Sequence, residues 1–158
     1  MRQKESFGWQ LAAVDALPVI FFGVATVVLG MRLGSPVFSV GAFICVLAGL
    51  GKVLWKLLIA LRSKDVQLLG AQLRYLMPVG FVLMAVGLAT TNREAVRQLL
   101  QGAVRLPSVA CFVATLAGMC AMIFCARHFD RYDTRGNWIE QGINAVAQAC
   151  FLLGVLLL

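Results

Sequence analysis

Charge is what this sequence has least of. Only 13% of its 158 residues are Asp, Glu, Lys or Arg, and seven of those are acids, whereas a water-soluble domain carries about a quarter. That shortage excludes an ordinary soluble core. Histidine occurs once, as His128, so any Ser/His or Cys/His nucleophile system would have to be built on that residue. The five cysteines, Cys45, Cys111, Cys120, Cys125 and Cys150, show no CxxC or Cys/His spacing. Lying inside apolar runs, they read as small reduced hydrophobes. No paired-aspartate motif for prenyl or alcohol phosphate chemistry is present, which leaves a lipid- or isoprenoid-phosphate enzyme the weakest of the function classes. With no catalytic, metal or cofactor signature, the balance leans away from an enzyme, and no cofactor or metal is expected.

Apolar residues fill the space that charge leaves. They make up 61% of the chain, with a mean hydropathy of +0.87, against roughly 45–50% in soluble proteins. Each membrane span needs about 20 apolar residues, and five such runs occur, at about 7–31, 37–61, 73–90, 106–126 and 138–158. The expected fold is therefore an all-α, polytopic transmembrane helical bundle, a single integral membrane domain over residues 1–158. The N-terminus is basic enough to imitate a signal peptide. However, Asp15 interrupts the apolar stretch and no small-residue cleavage site precedes Arg32, so a retained first span is expected.

The net charge of +7 is spread over short interhelical segments. No basic domain stands apart, so nucleic acid is not an expected partner and the lipid bilayer is. Arg2, Lys4, Arg62, Lys64, Arg74, Arg127, Arg131 and Arg135 fall on one side, and Arg32, Arg93, Arg97 and Arg105 on the other. The positive-inside rule then puts the N-terminus in the cytoplasm and the C-terminus outside, in a bacterial-type plasma membrane. Between spans three and four, Thr91-Asn92-Arg93-Glu94 has capping-box spacing. Val96, Leu99, Leu100 and Val104 follow on one face, which predicts a short amphipathic interfacial helix. Gly23 with Gly30 and Gly80 with Gly87 would let spans one and three approach neighbours closely, within one chain or between copies.

Ionisable groups inside a span cost at least about 2.5 kcal/mol each at the centre and need a partner or water. Asp15 lies eight residues past Phe7, or about 12 Å in, and Lys52 ten residues before Arg62, or about 15 Å from the same edge. This level matching predicts an Asp15–Lys52 ion pair, with Lys56 one turn nearer the cytoplasm, facing the same way or snorkelling to the headgroups. On span five, Asn137, Glu140, Gln141, Asn144 and Gln148 recur at steps of three, four and seven, one helical face that should turn into the bundle. Pro18 and Pro78 each free a carbonyl beside these groups, and Arg74 and Tyr75 would stand near the mouth.

Asp15, Lys52, Lys56, Arg74, Tyr75, Glu140, Asn144 and Gln148 thus form the candidate ligand site, in a cytoplasm-facing polar recess with an apolar floor. Lys52, Lys56 and Arg74 outnumber Asp15 and Glu140, so a small anionic or zwitterionic solute or amphipath is the expected ligand. Transport follows if protonation of Asp15 or Glu140 couples to movement. The alternative is a structural or regulatory subunit, in a homo-oligomer or a larger membrane complex. In the loop between spans four and five, His128, Asp130 and Asp133 carry metal-ligand chemistry, but Arg131 and Arg135 beside them oppose a cation.

Overall fold

The computed structural model describes residues 9–62, 67–128 and 134–158. Their elements are all helices: α1 (Trp9–Leu33), α2 (Pro36–Arg62), α3 (Gln67–Thr90), α4 (Arg93–Ala103), α5 (Leu106–His128) and α6 (Thr134–Leu156). All but α4 are long and apolar enough to cross a membrane. Their apolar segments, Gln10–Leu33, Pro36–Leu58, Ala71–Thr90, Leu106–Cys125 and Arg135–Leu156, fall where the sequence places them. α3 departs furthest, starting at Gln67 instead of near Leu73. Leu68, Leu69, Ala71 and Gln72 are good helix formers, and an apolar-run criterion loses them to the interspersed glutamines.

The turn between α1 and α2 is two residues of backbone chemistry. Gly34 takes φ +60° and its N–H donates to the Gly30 carbonyl at 2.9 Å, an αL stop for α1 that a Cβ would strain. Ser35 then caps α2 ahead of Pro36, whose fixed φ suits a first helical position. The Phe38 N–H donates to Ser35 Oγ at 3.4 Å, and that hydroxyl donates to the Gly87 carbonyl of α3 at 3.2 Å. One side chain therefore starts α2 and ties it to α3.

The long helices pack in the order α3, α2, α1, α6, α5, which makes α1 the central one. Small residues set the spacing. A Cβ on Gly41 would fall 2.6 Å from the Gly80 carbonyl oxygen and 2.7 Å from the Met84 nitrogen, so α2 and α3 meet backbone to backbone. Gly23 faces Val46 and Gly30 faces Ser39; the expected glycine stripes thus pack within the chain, against α2. Between α5 and α6, Gly118 faces Ala147, and Thr115 Oγ1 donates to the Cys111 and Ala147 carbonyls at 2.9 and 3.3 Å. The end helices of the row are sparsely covered: 11% of the α3 segment and 17% of the α5 segment is buried, against 39% for α2. Their outward residues, among them Val79, Val82, Val113 and Leu116, are exposed aliphatics.

α4 crosses one end of this row. Its N-cap is Asn92, whose Oδ1 accepts from the Glu94 N–H at 3.0 Å. The capping-box spacing pointed to Thr91 instead, but the Thr91 hydroxyl donates to the Gly87 carbonyl at 2.6 Å and is engaged by the end of α3. Val96 and Leu99 pack against the core of Leu33, Phe38 and Ala42, as do Leu29 of α1 and Met84 of α3. Gly102 abuts the Leu158 carbonyl, where a Cβ would come within 3.0 Å. The predicted apolar face therefore splits, because Leu100 and Val104 stay exposed.

Candidate functional site

Near the end opposite α4, Asp15 of α1 meets Lys56 of α2. The Nζ–Oδ2 separation is 2.8 Å, and the side chains are 4% and 3% exposed, Lys56 first. The expected partner, Lys52, is corrected by one helical turn. Counting Cα levels put Lys52 opposite Asp15, but a helical side chain leans toward its own N-terminus. In an antiparallel pair the two leans converge, so the long Lys56 side chain reaches back to the Asp15 level. The same reach explains why Lys56 is buried and does not snorkel. Removing two charges from water costs several kcal/mol each unless geometry and further hydrogen bonds offset it, so this pair is held by its surroundings as much as by its own attraction.

Lys52 and Glu140 lie within electrostatic reach of the Lys56 ammonium. Both are half-buried. Asp15, Lys52, Lys56 and Glu140 thus bring α1, α2 and α6 to one charge cluster. On α6, Asn144 and Gln148 are half-buried along the expected stripe, while Gln141 is 1% exposed. The side-chain carbonyls of Gln141 and Gln148 have no hydrogen-bond partner among the described residues. Gln141 stands out from the stripe only once burial is known; its seven-residue step to Gln148 was the available signal.

Arg74 and Tyr75 are both exposed on α3. Tyr75 precedes Gly80 by five residues, about 140° around the helix, so it turns away from the face that meets α2. Arg74 precedes Phe81 by seven residues and shares its stripe. Phe81 in turn meets Phe22 of α1 with ring centroids 6.3 Å apart, Phe22 meets Phe151 of α6 at 6.2 Å, and Phe151 meets Phe112 of α5 at 6.3 Å. Four helices therefore share one aromatic tier, in the offset and edge-on arrangements that ring quadrupoles favour.

A seven-residue step links the tier to the polar stripe on three parallel helices: Asp15 to Phe22, Arg74 to Phe81, and Asn144 to Phe151. Seven residues are about 10 Å of helix. The polar groups consequently lie at one level and the phenylalanines at the next, toward α4. Sequence reading found the first level and missed the second, because phenylalanine in an apolar run carries no contrast. α1 and α3 run through Pro18 and Pro78 without a break.

A groove of about 470 Å³ between α1 and α2, lined by Gly23, Thr26, Gly30, Ser39, Ala42 and Val46 among others, lies beyond this tier on the α4 side. Its lining is mainly apolar, with the Thr26 and Ser39 hydroxyls, and is separate from the charge cluster. His128 Nδ1 lies 2.9 Å from the Phe124 carbonyl oxygen, and its ring stacks on Phe124 at 4.0 Å. Asp130 and Asp133 fall outside the described residues. Among the described residues no three His, Cys, Asp or Glu side chains cluster as metal ligands, and all five cysteines are free. Comparison with protein-family models, curated proteins and solved structures gave no match.

Proposed function

We propose that this is an integral membrane protein whose five long helices span the bilayer, with α4 at the outer interface and the Asp15–Lys56 end toward the cytoplasm. The exposed aliphatic faces of α3 and α5 support insertion, since apolar surface on that scale is unfavourable in water. The excess of basic residues toward the Asp15 end supports the orientation. In this reading the protein binds a small anionic or zwitterionic solute or amphipath in a cytoplasm-facing polar recess beside Asp15, Lys56 and Glu140.

The observation that carries the reading is the combination of a buried ion pair with the unpartnered carbonyls of Gln141 and Gln148. Buried polar groups normally find partners; a ligand amine or hydroxyl would supply them here. Lys52 and Arg74 provide cations for its anionic part, and the phenylalanine tier provides an apolar boundary. The test is thermal stabilisation of the purified protein by a panel of small phosphates, carboxylates and zwitterionic amines. Binding predicts a shift that Glu140→Gln or Gln148→Leu abolishes; no shift across the panel would refute the reading. Uptake into proteoliposomes that persists unchanged in Asp15→Asn would rule out proton coupling through that carboxyl.

A second reading is favoured by the sparse burial of α3 and α5, which leaves two helix faces for neighbouring subunits. A non-catalytic subunit of a homo-oligomer or larger complex would copurify with its partner and show no ligand shift.

A further inference from the structure

α4 presents three stripes, and only one is accounted for by packing. Val96, Leu99 and Gly102 meet the bundle and the Leu158 carbonyl. Glu94, Gln98 and Gln101 form a polar flank, where Gln98 Nε2 donates to Glu94 Oε1 at 3.5 Å. The remaining flank runs Arg93, Arg97, Leu100, Val104, at steps of four, three and four along one line of the helix. Arg93 and Arg97 are exposed, and Leu100 and Val104 are 62% and 73% exposed. Cations at one end of a stripe and bare aliphatics at the other match a lipid, with phosphate outside and acyl chain beneath.

We propose that this flank of α4 binds an anionic phospholipid, with the Arg93 and Arg97 guanidinium groups on the headgroup phosphate and Leu100 and Val104 among the acyl chains. The proposal rests on the interfacial placement of α4 in the reading above. Charge complementarity selects the anionic headgroup. Among the described residues no acid forms a salt bridge with either arginine, and Glu94, the only acid on α4, accepts from Gln98 on the adjoining flank. A planar guanidinium suits bidentate phosphate contact, and each basic residue near an anionic surface contributes about 1 kcal/mol, or roughly five-fold in partitioning. The location adds weight, since arginines on the outer side oppose the positive-inside signal.

A Leu100→Trp variant in mixed vesicles tests this, because Trp9, Trp55 and Trp138 are far along the sequence and on other helices. Brominated acyl chains quench an indole that they touch. Brominated phosphatidylglycerol should quench the new emission more strongly than brominated phosphatidylcholine at equal mole fraction. The preference should fall by roughly five-fold per arginine in Arg93→Gln/Arg97→Gln and persist largely in Arg93→Lys/Arg97→Lys. Helical circular dichroism of each variant confirms that it is folded. Equal quenching by both lipids would overturn anionic recognition while leaving α4 in the interface. Quenching by neither would remove the interfacial placement itself, and the proposal with it.

Discussion

At the α4 end, short polar side chains are used on nearby backbone: Ser39 donates to the Ser35 carbonyl, Thr90 to Val86, Thr91 to Gly87, and Asn92 caps α4. At the opposite end the polar groups are long and charged, and their partners lie on other helices or are missing among the described residues. Asp15 pairs with Lys56 of α2, Glu140 of α6 lies within electrostatic reach of Lys56, and the buried Gln141 and Gln148 carbonyls have no hydrogen-bond partner among the described residues. Two hydroxyls at the first end depart from this: Ser35 donates across to the Gly87 carbonyl of α3, and Ser108 is buried without a partner among the described residues. Short hydroxyls satisfy themselves within a turn, whereas an amide or ammonium in hydrocarbon depends on tertiary structure or a ligand. The first end is therefore closed by its own chain, and the second is left able to respond.

Breaking the ion pair separates the two ends most sharply. Lys56→Met leaves the Asp15 carboxylate buried alone, which should cost about 3–5 kcal/mol, measured by reversible unfolding in mixed micelles. Asp15→Leu/Lys56→Met removes both charges and should recover most of that loss. If the double variant stays as unstable as the single one, the pair does more than cancel its own charges. A Gly41→Ala change attacks the backbone approach of α2 to α3 and should cost about 1–3 kcal/mol by overpacking, with no effect on ligand shifts. Ser35→Ala removes a helix cap and the bond to Gly87, for about 1 kcal/mol; a loss as large as that of Lys56→Met would erase the proposed contrast between the ends.

Much of this architecture was legible before any coordinates, for a definite reason. Apolar runs of about 20 residues have few alternatives to long helices, and the Thr91–Glu94 spacing followed by Val96 and Leu99 announces α4 by local chemistry, although the cap itself is Asn92. The members of the charge cluster were legible, since Asp15, Lys56 and Glu140 contrast with their runs. Their pairing was not legible, because a one-turn difference between Lys52 and Lys56 depends on side-chain lean that Cα levels ignore. The Phe22–Phe151 contact and the burial of Gln141 depend on which faces meet, and Gln141 shares its polar stripe with Glu140, Asn144 and Gln148, which are only half-buried. Helix order was hidden too. Nothing in the loop lengths places α1 between α2 and α6.

The smallest expected stability change is the most informative about function. Gln148→Leu removes an amide whose carbonyl bonds nothing among the described residues. A satisfied buried amide would lose about 1 kcal/mol or more on such a change; here the apolar replacement should be neutral or slightly stabilising, because no carbonyl is left unpaired. Gln141→Leu should behave alike, with a tighter steric limit since that residue is only 1% exposed. If both variants keep or gain stability but lose a ligand-induced shift, the unpartnered carbonyls are binding groups kept at a cost to the fold. If both instead lose stability as Ser35→Ala does, their carbonyls are bonded within the folded protein, and the two ends of the bundle are built on the same rule.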